Sequence, residues 1–307
     1  CNYMPIQKNY QVARHLFRVT ASSDSFLWER MRECYGPFEI TLGPDAQCGS
    51  RIAFDVEICD DIKEFRSSDL VFTNKDKVEP GFIEISVFKT ETEHQFELRY
   101  PDSELVNGRL SVSKDYKKAR FSLSGSRGHQ WYTFNSGMNI CFLMATTGLD
   151  TLLIHASCVS YQGKAYLFLG KSGTGKSTHS RMWLSALEGV ELMNDDHPVI
   201  RIGTDGQPVA YGSPWSGKTK CYKNVEAPLG GVIRISRAPH NKARRLSNIE
   251  AYASIITSCS GITWERDLAD GKDRAIQGVI AKVPCWVMEC LPDADAALVC
   301  SESVTRV

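Results

Sequence analysis

Eight consecutive residues, Gly170-Lys171-Ser172-Gly173-Thr174-Gly175-Lys176-Ser177, satisfy the pattern G-x-x-x-x-G-K-[ST] at every fixed position. The chemistry this spacing serves is phosphate binding. Glycines let successive backbone N–H groups turn inward on phosphate oxygens. A helix N-terminus just after them adds a field that favours anions. Lys176 would balance charge on the β- and γ-phosphates, and the Ser177 hydroxyl would hold Mg²⁺. The flanking sequence supplies the elements this chemistry needs. Ala165-Tyr166-Leu167-Phe168-Leu169 is an apolar run that predicts a buried strand, and Thr178 to Leu187 predicts a helix. The nucleotide-contacting candidates are therefore Gly170 through Thr178.

About twenty residues further on, Val190-Glu191-Leu192-Met193-Asn194-Asp195-Asp196 predicts an apolar strand ending in two carboxylates. On its own an Asp-Asp pair is a common turn. At this distance after such a loop it offers two roles: one acid for Mg²⁺, directly or through water, the other to accept a proton from an attacking hydroxyl. Ser177, Asp195 and Asp196 are thus the metal candidates. Gly212-Ser213-Pro214-Trp215-Ser216-Gly217-Lys218 groups turn formers around a Trp and a Lys, as a loop covering a ligand would, or as a surface turn with a packed Trp would. Lys218 joins the cofactor-contacting candidates. Arg234 and Arg237 follow an apolar strand and can either neutralise phosphate charge or stay solvated. The basic cluster Lys242-Ala243-Arg244-Arg245 reads as a solvated turn or as a contact for phosphate or an acidic partner. His155, in Leu152-Leu153-Ile154-His155-Ala156-Ser157, reads by its local spacing as a core histidine. His155-x-x-Cys158 has the form of half a zinc site, but no second pair exists to complete it.

The elements that must position these residues change character along the chain. Before residue 135, alternating segments predict antiparallel strands: Phe82 to Phe88, Gln95 to Tyr100, and a hairpin from Arg109-Val112 and Ala119-Leu123. Residues 136–149 predict an apolar helix leading into the second half. After it strands and helices mix, with helices expected at Asn248–Ser260 and Arg274–Ala281 and a buried strand at Pro284–Cys290. Two domains follow: a mainly β domain over 1–135 and an α/β domain over 136–307.

With 307 residues, 42% apolar and 23% charged, the composition is that of a globular protein. Zero net charge gives no global pull toward nucleic acid or anionic membrane, so neither is expected as a partner. Eleven dispersed cysteines without a C-x-x-C pair predict reduced thiols and a cytoplasmic location. No apolar run reaches membrane-spanning length. The patterns G-x-G-x-x-G, G-x-S-x-G and H-E-x-x-H are absent, which removes dinucleotide, nucleophile-elbow and zincin chemistry.

Three segments together, Leu153-Ile154-His155-Ala156-Ser157, Gly170 to Thr178, and Asn194-Asp195-Asp196-His197, resemble the catalytic domain of HPr kinase/phosphorylase and the nucleotide core of ATP-dependent phosphoenolpyruvate carboxykinase. Pro214-Trp215-Ser216-Gly217-Lys218 is similar to a segment of bacterial HPr-kinase-related proteins. The resemblance covers about residues 150–300. It implies a mixed-sheet α/β kinase core whose loop follows an antiparallel strand pair, a pairing that Tyr161-Gln162-Gly163-Lys164 also predicts as a hairpin. It implies that His155 lies at the active site and acts with Lys176, Asp195 and Asp196. The expected activity is transfer of the ATP γ-phosphate, with Mg²⁺ or Mn²⁺, to a protein serine or a small hydroxylated metabolite. A carboxykinase-like enzyme and a nucleotide-sensing module without turnover are the alternatives. An oligomer is compatible with the sequence.

Overall fold

The computed structural model describes residues 4–42, 52–75, 82–101 and 103–306, so Cys1 and Cys48 lie outside the described residues. The chain divides into two compact units, residues 1–146 and 147–307. Together they form an α/β protein with two mixed sheets and, among the described residues, six α-helices.

The first unit contains strands β1 (Pro5–Val12), β2 (His15–Ser22), β3 (Glu39–Ile40), β4 (Ile52–Cys59), β5 (Leu70–Thr73), β6 (Glu84–Lys89), β7 (Glu93–Arg99), β8 (Gly108–Ser113) and β9 (Lys118–Leu123), with helices α1 (Leu27–Cys34) and α2 (Arg127–Thr146). The sheet order is β3-β1-β2-β4-β9-β8-β7-β6-β5. The strands expected around Phe82–Phe88, Gln95–Tyr100 and the 109–123 hairpin are all present. Most pairs are antiparallel, but β4 runs parallel to both β2 and β9, so this sheet is mixed. The alternation that marks β7 buries His94, Phe96 and Leu98 and leaves their neighbours half-exposed.

The apolar helix starts at Arg127, nine residues before the expected 136, and it belongs to the first unit instead of opening the second. Packing explains this. Phe134, Met138, Cys141 and Phe142 recur at helical spacing on its buried side. Phe134 stacks on Phe121 of β9, and Phe142 meets Phe54 of β4 edge-on.

The second unit contains β10 (Thr151–Leu153), β11 (Ala156–Tyr161), β12 (Lys164–Leu169), α3 (Lys176–Ala186), β13 (Glu191–Asp196), β14 (Val199–Ile202), β15 (Pro208–Tyr211), β16 (Glu226–Arg237), β17 (Lys242–Arg245), α4 (Asn248–Ile256), α5 (Arg266–Lys282), β18 (Cys285–Cys290) and α6 (Ala294–Thr305). The main path of its sheet runs β10-β14-β15-β16-β12-β11-β13, with β18 also on β16 and β17 on β18. β12, β16 and β18 are parallel, whereas β11 is antiparallel to both β12 and β13. β12 is buried on both faces, which is why it reads as an unbroken apolar run. Leu167 and Leu169 join a core with Ala251 of α4 and Ala275 of α5. Tyr166 and Phe168 join one with Trp183 of α3 and Ala297 of α6. The β11–β12 turn carries positive φ at Gln162 (50°) and Gly163 (76°), the geometry of a two-residue hairpin whose twist matches its strands.

The basic cluster at 242–245 is an edge strand, not a turn. Its two arginines are engaged within the chain: Arg244 grips Glu250 at 2.9 Å and 3.2 Å, and Arg245 lies over the Trp286 ring.

Candidate functional site

The site grows from the junction between β12 and α3. β12 ends at Leu169, the glycine-rich loop crosses to Gly175, and α3 begins at Lys176. Gly173 (φ 75°) and Gly175 (φ 109°) hold left-handed backbone, so a side chain at either position would be strained. Gly175 is the residue that enters α3, which places the helix N-terminus directly behind the loop.

Lys176 is 9% exposed and folds back over the loop, its ammonium donating to Gly170 O at 2.9 Å and Lys171 O at 3.3 Å. Burial pulls its pKa down, and the charges of Asp196 and Asp195 oppose that pull. Thr174 braces the loop by donating its hydroxyl to Lys171 O at 2.8 Å. Arg237, at the end of β16, donates to Gly173 O from the other side. Lys171 and Ser172 are exposed, Ser177 is half-buried in the first turn of α3, and the Thr178 hydroxyl accepts from Arg181. Of the two arginines singled out after the apolar strand, Arg237 is the one that reaches the loop.

β13 delivers the two acids. Its register on β11 pairs Ser157 with Asp195 and Ala156 with Asp196. Adjacent strand residues point to opposite faces, so the two acids are not equivalent. Asp195 shares a face with Ser157, whose hydroxyl is 2.5 Å from that of Ser180 on α3. It is 8% exposed, and its Oδ1 is buried with no hydrogen-bond partner. Asp196 ends the strand between two histidines. His155 Nε2 lies 3.4 Å from Oδ1, His197 Nδ1 lies 3.1 Å from Oδ2, and the two imidazoles stack at 5.6 Å.

The electrostatics follow from these distances. Burial works to raise the Asp196 pKa, but the His197 hydrogen bond and the fields of His197, His155 and Lys176 outweigh it, and the net shift is downward. Asp196 therefore stays ionised at neutral pH. Burial and then the nearby Lys176 charge depress His155 to about 4, with Asp196 opposing, so its imidazole is neutral at pH 7. His155 is anchored by its backbone, which donates to Ser258 O at 2.7 Å. Its ring is turned toward Asp196 and is not packed in the apolar core.

Asn194 holds this arrangement in place, and the sequence reading did not rank it as a site residue. It is fully buried. Its Oδ1 accepts from the backbone N–H groups of Asp196 at 3.0 Å and His197 at 2.9 Å. Its Nδ2 donates to Ser213 O, Ser213 Oγ and Trp215 O. One amide thus fixes the turn after the acids and pins the 212–218 loop against them. Ser213 Oγ donates to His197 O at 2.6 Å, Ser216 bridges to Asp196, and Trp215 is buried. Lys218 is exposed, one residue past Gly217, whose backbone abuts Asp195 and Asp196. His197 also went unranked. The available signal for both was position: Asn before, and His after, two acids at a strand end, where Asn habitually bonds nearby backbone.

Among the described residues, no group of three or more His, Cys, Asp and Glu side chains could hold a metal ion. Cys158 is wholly buried in the apolar core, so it does not complete a zinc pair with His155. Magnesium needs less from the protein: it keeps several waters and commonly takes one or two carboxylates plus phosphate oxygens. Ser177, Asp195 and Asp196 carry oxygen donors of the type such an ion takes, and Asp195 Oδ1 has no hydrogen-bond partner.

No family model matches the chain, and no curated protein matches it either. Among solved structures, the Hpr(Ser) kinase/phosphatase from Coxiella burnetii is similar over 50% of this chain and 88% of that one, with 13% identity and a TM-score of 0.31. A likeness that loose carries neither a fold nor an activity across. No described helix is long and apolar enough to cross a membrane.

Proposed function

We propose that the second unit is an ATP-dependent phosphotransferase that moves the γ-phosphate to a hydroxyl of a protein serine or a small metabolite. The observation that carries this is the meeting of a complete glycine-rich loop with two carboxylates and a neutral histidine at one end of the sheet. Loop N–H groups and the α3 N-terminus would receive the triphosphate. Lys176 would exchange its loop carbonyls for the β- and γ-phosphate oxygens, a stronger charge-assisted contact. Mg²⁺, held by Ser177 and one of the two acids, would neutralise charge on the β- and γ-phosphates.

The transfer itself needs positioning and one proton acceptor. The acceptor hydroxyl oxygen bonds to the γ-phosphorus, the bond from that phosphorus to the ADP oxygen breaks, and the hydroxyl proton passes to the acid that does not serve the metal. His155, neutral and directed at Asp196, would orient that carboxylate. Both Asp195→Asn and Asp196→Asn should fold and lose transfer by at least about 100-fold, the lower range for general-base catalysis. The assay is release of ADP from ATP·Mg²⁺ in the presence of seryl-peptide and polyol acceptor pools. Wild-type rates in both variants would refute the assignment.

A further inference from the structure

The glycine-rich loop has acids on one flank and a cation on the other. In the sheet order β16-β12-β11-β13 the loop leaves β12, the acids end β13, and β16 is the neighbour on the opposite side. β16 runs parallel to β12. β13 runs the same way, because β11 is antiparallel to both β12 and β13. All three strands therefore deliver their last residues to the sheet end where the loop sits. For β13 these are Asp195 and Asp196; for β16 the last residue is Arg237.

The pleat of β16 selects this arginine. Ile233 and Ile235 pack in one core with Trp183 of α3. Arg237 continues their face by the two-residue period, whereas Arg234 falls on the opposite face. The strand end and the loop are in contact: a Cβ added to Gly170 would lie 3.4 Å from Ile235 O, and Arg237 Nη2 donates to Gly173 O. With Thr174, Gly175 and Thr178, Arg237 also lines a cleft of about 600 Å³, which gives its side chain room to move.

A guanidinium carries a fork of N–H donors suited to phosphate oxygens. Among the described residues Arg237 uses it for that one bond and faces no carboxylate, whereas Arg244 is held by Glu250 and Arg274 by Asp150. A full charge resting on one neutral carbonyl, beside a loop built to gather anions, gains by exchanging that carbonyl for a phosphate oxygen. Lys176 rests on loop carbonyls in the same way.

Position decides which phosphates it meets. In the proposed reaction the γ-phosphate lies at Asp195 and Asp196, where the proton acceptor is needed. The triphosphate is a chain, so its α and β groups lie further from the acids, toward the β16 flank. We infer that Arg237 binds the α,β end of the triphosphate and supplies positive charge on the flank opposite the acids. This rests on the reading of residues 170–177 as the phosphate site.

The test is calorimetric titration of ATP and ADP, each with Mg²⁺, into the full chain and its Arg237→Ala, Arg237→Gln and Arg234→Ala variants. Both arginines are exposed, so the variants should fold. Arg237→Ala should weaken ATP and ADP alike by at least about tenfold, the scale of a lost hydrogen bond to a charged group. Glutamine keeps an N–H donor for Gly173 O but no charge, so Arg237→Gln should bind as weakly as Arg237→Ala. Arg234→Ala removes the same charge from the other face of β16 and should leave both affinities unchanged. Loss of ATP affinity with ADP affinity intact would move Arg237 to the γ-phosphate and overturn the assignment. Wild-type affinity in Arg237→Gln would make the residue a brace for the loop carbonyl, and an equal loss in Arg234→Ala would reduce the effect to long-range charge; either result overturns it, as would unchanged binding in Arg237→Ala. Each of these leaves the phosphate site standing, since the wild type still binds. If neither nucleotide binds the wild type, the phosphate reading fails and takes this inference with it.

Discussion

Lys176 and Asn194 do opposite kinds of work in the site. Lys176 is a buried cation held by two loop carbonyls, with two carboxylates close enough to steady its charge. Replacing it by alanine should weaken ATP·Mg²⁺ binding by about 2–4 kcal/mol, the scale of a desolvated charge-assisted contact. Equal affinities for wild type and Lys176→Ala by calorimetry would contradict this. Asn194 meets no ligand in the proposed reaction, yet five hydrogen bonds from one buried amide hold the acids and the 212–218 loop. Asn194→Ala strips the acceptor from two backbone N–H groups, at about 1–3 kcal/mol for each buried group left unpaired. Urea denaturation should show the loss, and turnover should fall more than ATP affinity. Unchanged stability would mean that the turn holds without the amide.

At the scale of elements, the hairpin, loop and helix from Ala156 to Ala186 were legible because each step has a local cause. The β11–β12 turn needs positive φ and has Gln-Gly, β12 is apolar on both faces, and the loop spends glycines where the backbone is left-handed. Gly175→Ala should therefore keep the fold and lose nucleotide binding, because the methyl group strains the residue that enters α3, by about 1–2 kcal/mol. Intact binding in a folded Gly175→Ala protein would show that the loop does not depend on that conformation. Other boundaries were not legible. The extent of α2 depends in part on packing against Phe54, which comes from a strand far earlier in the chain and leaves no mark in the local pattern. The parallel placement of β4 is likewise a long-range pairing. The cluster at 242–245 carries the charges of a solvated turn but is held as an edge strand by β18. The place of His155 could not be read from its apolar neighbours alone. It follows from β13 pairing alongside β11, which sets Asp196 within 3.4 Å of the ring.

At the scale of the whole molecule, the second unit stores two histidines in neutral form, and this fixes how its stability responds to acid. His179 is 1% exposed and accepts from Trp183 Nε1 at 3.1 Å, and burial holds its pKa at about 4. Below about pH 6.5 the unfolded chain takes up a proton that folded His179 refuses, so the unfolded state binds more protons and stability falls with pH. For the metal-free protein, denaturant midpoints should drop between pH 6.5 and pH 4.5. His179 contributes up to about 3 kcal/mol of that loss, and His155 acts in the same direction. His179→Gln should flatten the slope, and an unchanged slope would mean that other groups set it. The nine described cysteines are all free; seven are buried, and burial pushes a thiol such as Cys141 up to about 12, so these buried ones behave as small packed apolar groups.

A structure of the protein with a non-hydrolysable ATP analogue and Mg²⁺ tests the central claim most directly. The account predicts triphosphate oxygens on the loop N–H groups from Gly173 to Ser177, the Lys176 ammonium transferred from Gly170 O to the β- and γ-phosphates, and Mg²⁺ bound by Asp195 or Asp196 at about 2.1 Å or through one water. A triphosphate bound elsewhere, or one bound here with both carboxylates more than about 8 Å from the ion, beyond water-mediated coordination, would contradict it.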